Sequence, residues 1–166
     1  MTSTSLIPSK FRKPEVFSPS SDGEPLADSV HVDAIINAVV ALRHDLSAQP
    51  ALVLADQFLY YAEGAEGFPK LRVAPDIMVI FDLSSGSRDH FKTWTEGQSP
   101  AIIFEITAAG TRDRDETFKR NLYEQLEVPE YWQFAPRGEW IPERLKGCRL
   151  EAETYQPITA GMDSDA

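Results

Sequence analysis

The sequence lacks several features that would point to particular classes of protein. Its one cysteine, Cys148, rules out a disulfide within the chain and any zinc site built from cysteines. No apolar run approaches the roughly 18 to 20 residues that span a bilayer, and residues 1–17 contain no continuous apolar segment typical of a secretory signal. No glycine-rich phosphate-binding loop is present. We therefore expect a cytoplasmic protein with no membrane segment.

Positive charge is also scarce. The 166 residues include 16 Lys or Arg against 26 Asp or Glu, a formal net charge of −10. Proteins that bind nucleic acid through a broad electrostatic surface are basic, so the composition argues against such a surface. Any contact with nucleic acid must be local, assisted by a bound cation, or supplied by a partner.

The chain divides into an irregular N-terminal arm (1–25), a single globular domain (26–157) and an acidic flexible tail (158–166). Apolar spacing predicts an amphipathic helix over 26–46. We read 63–70 as a loop and 84–99 as a polar excursion without a clear period. The segments that read as strands, before and after this excursion, are 51–56, 57–61, 73–82, 99–107, 130–136 and a terminal strand pair.

A β-α-β crossover organises the second half of the domain. It runs from strand 99–107 through a helix over 114–127 to strand 130–136. Such crossovers place their two strands parallel in one sheet. The element order predicts an α/β protein, a three-layer sandwich with a central mixed sheet flanked by helices.

Two carboxylates mark the ends of the predicted buried strands. Asp76 follows Pro75 at the head of one strand, and Glu105 lies near the end of the next. A charge in an apolar strand is costly unless it is paired or binds a cation. If the two meet at one sheet edge, they offer hard oxygen ligands suited to Mg²⁺ or Mn²⁺. The alternative is that Asp76 caps a turn and Glu105 faces water.

Lys119 lies on the helix that follows the Glu105 strand. Asp113 and Glu116 have capping-box spacing at its start, and Phe118, Leu122 and Leu126 predict its buried stripe. Lys119 lies one position round from that stripe, so it could reach back toward the strand ends and stabilise a phosphate. The alternative is a solvated lysine paired with Asp115 at i, i+4 spacing.

Three segments resemble one known family. They are VAPDIMVIF (73–81), SPAIIFEITAAGTRDRDETFKRNLYEQLEVPEYWQFAP (99–136) and LKGCRL (145–150). Together they resemble the Uma-two-type restriction endonuclease family of the PD-(D/E)XK nuclease superfamily, over roughly residues 30 to 155. The resemblance implies that Asp76 and Glu105 are metal ligands. The superfamily lysine usually stands two residues after the glutamate, where this chain has Thr107. Family members resemble one another in moving it to the helix, which indicates Lys119.

The resemblance therefore implies an endonuclease that hydrolyses phosphodiester bonds with Mg²⁺ or Mn²⁺, acting on nucleic acid, with DNA expected, and assembled as a homodimer. The rival hypothesis is a catalytically inactive module that keeps the nuclease fold for dimerisation or protein interaction. Its support is the net charge of −10 and Thr107. The other residues favour structural roles. Asp56 could approach the metal but is better explained as a turn residue; His31, His44 and His90 are expected at the surface or in helix packing, and Trp94, Tyr131 and Trp132 in the core or an interface.

Overall fold

The computed structural model describes residues 20–21, 24–25, 28–62, 71–83, 86, 88–107 and 113–158. Its first long helix, α1, spans Ser29–Asp45 and begins with the Asp28 side chain accepting from the His31 amide. The strands are β1 (Ser20–Ser21), β2 (Glu24–Pro25), β3 (Ala51–Ala55), β4 (Leu59–Ala62), β5 (Leu71–Val73), β6 (Ile77–Phe81), β7 (Phe91–Lys92), β8 (Ile102–Ile106), β9 (Glu130–Phe134), β10 (Leu145–Glu151) and β11 (Thr154–Pro157).

The main sheet has six strands in the order β11-β10-β9-β8-β6-β3. Strands β8 and β9 are parallel, and every other neighbouring pair in this sheet is antiparallel. The mixed sheet is confirmed, and so is the crossover that joins its two parallel strands. Strands β10 and β11 form the predicted terminal pair.

Both faces of this sheet are covered, which explains why its central strands are almost continuously apolar. Ile77 and Val79 of β6 face α1, where they pack against its side chains. Met78 and Ile80 of the same strand belong to the larger core on the opposite face, together with Tyr123 of the second helical layer. The period-two alternation of a strand distributes one apolar run between two cores. The three-layer arrangement is confirmed.

The predicted strand over 73–82 is two strands in the structure. Val73 ends β5, which pairs with β4 in a second, three-stranded sheet, and Ile77 begins β6 in the main sheet. Between them lies the buried Pro75, which has no amide hydrogen to donate to a strand ladder. The polar excursion over 84–99 also contains regular structure, since β7 is followed by the short helix α2 (Thr93–Glu96). The predicted loop over 63–70 lies outside the described residues.

The helical layer after β8 differs most from the prediction. A π-helical segment, Arg114–Lys119, leads into α3 (Arg120–Gln125). The capping box is wrong, because Asp113 has helical dihedral angles and its side chain makes no capping hydrogen bond. The predicted stripe is wrong at Phe118, which is 50% exposed. The wider π turn changes which side chains share a face, and the face with Lys119 points into the protein.

The predicted limits of the arm and the tail fall largely outside the described residues. Within the arm, Ser20–Ser21 pairs antiparallel with Glu24–Pro25. The domain limits therefore stay predictions. Among the residues that the structure describes, no helix is long and apolar enough to cross a membrane.

Candidate active site

A row of polar residues crosses the main sheet at one end. One position beyond the last paired residues of β6 and β8, the antiparallel register brings Asp76 opposite Glu105. Glu105 is in turn paired with Gln133 on β9, and Gln133 with Lys146 on β10. On the other side, the Asp56 amide donates to the Asp76 carbonyl at 3.0 Å. Chain segments distant in sequence thus converge on one edge.

Glu105 is the centre of this row. It is 0% exposed, and its side chain points from β8 toward the second helical layer. Its Oε2 lies 2.8 Å from Lys119 Nζ, and its Oε1 accepts a hydrogen bond of 2.7 Å from the Tyr123 hydroxyl. Both oxygens are therefore held by donors from the helical segment opposite.

Lys119 joins the helical layer to the strands. The residue is 9% exposed, and besides Glu105 its ammonium group contacts Asp115 Oδ1 at 3.3 Å and the Ala74 carbonyl at 3.5 Å. The ion pair with Asp115 that was the alternative to a functional lysine is present, but it is buried. Asp115, Lys119 and Tyr123 follow at i, i+4, i+8 and form the inward face of this segment.

Asp76 lies where β6 begins, between α1 and the sheet. Its Oδ2 accepts from the Ile106 amide at 2.6 Å, and its Oδ1 lies 3.1 Å from His31 Nε2. The first contact attaches the carboxylate to the residue that follows Glu105. Its side chain is only 19% exposed, so the carboxylate reaches solvent over a small area.

The carboxyl groups outnumber the buried lysine, and the pKa values reflect this. Burial raises the pKa of Glu105 to about 8, and nearby Asp76 and Asp115 add to the rise while Lys119 opposes it. Burial lowers the pKa of Lys119, but Glu105 and Asp115 outweigh that effect and leave it above its ordinary value. A cation entering here would relieve repulsion between acids.

The donor set fits a particular kind of metal site. Among the described residues, no group of three or more His, Cys, Asp or Glu side chains could hold a metal ion. Asp76 and Glu105 offer two carboxylates from neighbouring strands. Mg²⁺ keeps several waters and commonly binds through one or two carboxylates plus substrate phosphate. Asp76 and Glu105 match that number of protein ligands, and the described residues form no all-protein cage.

Comparison with known proteins identifies the family. Residues 15–165 match Uma2, described as "Putative restriction endonuclease". The chain belongs to the Uma2 family. The match extends beyond the residues 30 to 155 on which the sequence resemblance rests, and it supports a nuclease.

A solved structure is similar in fold to this Uma2 protein. It is described as a "putative nuclease belonging to DUF820" from Anabaena variabilis ATCC 29413, with a TM-score of 0.58 and 11% sequence identity. The similarity covers 81% of this chain and 70% of that one, and at this identity it shows the fold alone. No curated protein matches the chain in a sequence comparison.

Two residues that contact the carboxylates were not predicted. His31 was assigned to the surface or to helix packing, yet it contacts Asp76, and this contact raises its pKa. The sequence does contain a signal that His31 faces the sheet. It lies four residues before Ile35, on the same face of the helix, and Ile35 packs against the sheet. Tyr123 shares the predicted face with Lys119, but nothing in the sequence shows that its hydroxyl meets Glu105.

The remaining candidates lie outside this cluster. Asp56 occupies an exposed turn with a φ of 50°. His90 packs edge-on against the Tyr60 ring, and His44 is exposed. Thr107, at the usual lysine position, is buried and accepts a hydrogen bond of 2.6 Å from Trp140 Nε1.

The predicted core and interface aromatics divide between burial and exposure. Tyr131 is buried in the larger core, and its hydroxyl donates to the Asp115 carbonyl. Trp132 stacks on Phe104, whereas Trp94 is exposed.

Glu105 predicts a pH dependence of stability in a metal-free buffer. Its folded pKa of about 8 lies above its ordinary value of 4.5, so the folded state holds the proton more tightly. The stability from the neutral carboxyl is fully present below pH 4.5 and is lost as the pH rises through about 8. We expect Glu105→Gln to reduce the fall in unfolding free energy between pH 5 and pH 8 by about 1 kcal/mol or more. Urea unfolding at both pH values measures it, and an unchanged fall would contradict the assignment.

Proposed function

We propose that this Uma2 protein is a metal-dependent endonuclease that hydrolyses phosphodiester bonds of nucleic acid, DNA in the first instance. One observation carries the proposal: a fully buried Glu105 in contact with Lys119, with Asp76 opposite it on the next strand. A buried pair of ionisable groups is a poor source of net stability, since removing a carboxyl and an ammonium group from water offsets their attraction. Chemistry at this edge explains the arrangement better than folding does.

In this proposal Asp76 and Glu105 would hold one Mg²⁺ or Mn²⁺ through their carboxylate oxygens. A bound ion would polarise a phosphoryl oxygen and lower the pKa of a water, which would serve as the nucleophile. The protein's part is to orient the two carboxylates. The Ile106 amide and His31 fix Asp76, while the Tyr123 hydroxyl fixes one oxygen of Glu105.

Lys119 supplies positive charge next to the carboxylates. Its contacts with Glu105, Asp115 and the Ala74 carbonyl define where its ammonium group lies. We propose that it donates to a phosphate oxygen when substrate is bound and so stabilises the negative charge that develops in the transition state. Asp115 then acts as a positioning residue, which keeps the lysine charged and directed to this edge.

The contact with nucleic acid should be narrow. Two basic side chains near this edge of the sheet are already paired with acids: Arg137 with Asp28, and Lys146 with Glu116. With a net charge of −10 as well, few phosphates are neutralised directly. Binding should therefore depend only weakly on salt, because each neutralised phosphate contributes to the salt slope.

Substitution of the proposed ligands and lysine should abolish cleavage. With plasmid DNA and Mg²⁺ or Mn²⁺, we expect Asp76→Asn, Glu105→Gln and Lys119→Met to lower the cleavage rate by about 100-fold or more. EDTA should abolish cleavage by the native protein. Matched controls are Asp82→Asn, just beyond the other end of β6, and Lys92→Met on β7, and both should keep native activity.

Equal cleavage by the native protein and the three variants would remove the site assignment. No cleavage by the native protein, together with no Mg²⁺ or Mn²⁺ binding in calorimetry, would favour the inactive interaction module. The observation that favours this second function is that Lys119 is already fully engaged with carboxylates and a carbonyl.

We also propose the homodimer that the family resemblance implies. Val32, Ile36 and Val40 are exposed at four-residue intervals along α1, and an isologous contact would bury this stripe twice. We expect Ile36→Glu to shift the mass measured by light scattering at micromolar concentration from dimer to monomer. A native protein that is already monomeric would refute the assembly.

A further inference from the structure

Gln133 has a buried amide that the folded chain does not satisfy. The residue is 4% exposed, and its Nε2 has no hydrogen-bond partner. Within the described part of the chain, it is the one buried side-chain nitrogen without a hydrogen-bond partner. An unsatisfied buried donor destabilises the fold, and an apolar side chain of similar shape would not have this effect.

The position of this amide relates it to the candidate active site. Gln133 is the partner of Glu105 in the parallel register of β8 and β9, and neighbouring strands lie about 4.8 Å apart. Its side chain lies on the same face as Tyr131, two residues earlier, whose hydroxyl donates to the Asp115 carbonyl. The amide is therefore on the side of the sheet that carries Glu105 and Lys119.

The neighbouring carboxylate does not use this donor. The two oxygens of Glu105 accept from Lys119 and Tyr123. No acceptor of the described chain reaches Nε2, so this amide is free to donate to an acceptor that enters from outside the protein. A phosphate oxygen accepts hydrogen bonds and donates none, so it fits a side chain whose free group is a donor. The side-chain amide is uncharged. It therefore does not compete with Lys119 for the carboxylates, and it stays available to a phosphate.

We propose that Gln133 is a substrate-binding residue, whose side-chain amide donates to a non-bridging oxygen of the phosphate that is cleaved. This inference rests on the proposed function, since it places a third group beside Glu105 and Lys119. It gives the uncharged donor of the polar row a role in orienting the phosphate at the sheet edge.

Gln133→Met separates this role from a structural one. It removes the donor and keeps the length of the side chain, so we expect kcat/KM for DNA cleavage to fall about 10- to 100-fold. The melting temperature should stay the same or rise, because no hydrogen bond within the protein is lost. A residue that served only the fold would show the opposite pattern. Gln133→Glu, which replaces the donor by an acceptor, should lower kcat/KM further.

The matched control is Gln98→Met. Gln98 donates to the Phe81 carbonyl at the other end of β6, away from the polar row. This variant should lose thermal stability and keep native kcat/KM. Cleavage by Gln133→Met within twofold of the native rate would overturn the inference while leaving the nuclease proposal intact.

A second measurement does not require cleavage. In nitrogen-15 NMR spectra of the native protein, the Gln133 side-chain amide is identified by its loss in Gln133→Met, or in Gln133→Leu if the first variant does not fold. Titration with inorganic phosphate and with a short DNA duplex should move this resonance pair. No movement at saturation overturns the inference, whether or not the protein cleaves DNA. Movement with phosphate in a protein that does not cleave DNA would support the phosphate contact and contradict the nuclease proposal alone. Movement with inorganic phosphate but not with DNA, together with native cleavage by Gln133→Met, would indicate an adventitious ion only and overturn the inference.

Discussion

The buried carboxyl group of Glu105 is the constraint on which the rest of the site depends. A carboxylate without access to water must be compensated by charge and by hydrogen bonds, because burial alone would leave it neutral. The compensation comes from Lys119 and Tyr123, both on the segment that packs over β8. Their presence fixes which face of that segment points inward. It explains why Asp115 is buried and why Phe118, the first position of the predicted stripe, is at the surface.

The same carboxyl group connects the two sides of the sheet. Asp76 stands opposite it in the register, accepts from the amide of Ile106 and contacts His31 on α1. The helices on the two faces therefore both supply side chains to one edge. The two kinds of element thus have separate roles in the site: the strands set the spacing of the two carboxylates, and each helix orients one of them.

Much of the fold could be predicted because its signals are local. The apolar runs around Ile80 and Ile103 and the crossover between β8 and β9 define the mixed sheet directly. The site was predicted only in part. Asp76 and Glu105 are visible as charges at strand ends, whereas the inward turn of Lys119 contradicts simple amphipathic periodicity. A search for amphipathic periodicity finds the buried face of a helix from its apolar side chains. It cannot identify a buried face that is polar and is stabilised by a buried acid. His31 and Gln133 depend on pairings between segments that are distant in the sequence.

A double-mutant cycle on Glu105 and Lys119 tests the central claim most directly. At pH 9, above the pKa of about 8 of Glu105, Lys119→Met alone should cost about 3 to 5 kcal/mol of unfolding free energy, because it leaves a buried carboxylate without its cation. Adding Glu105→Gln should recover most of that loss, with a coupling free energy of about 2 kcal/mol or more. Additivity of the two substitutions within about 0.5 kcal/mol would contradict the account, since the two charges would then not depend on each other.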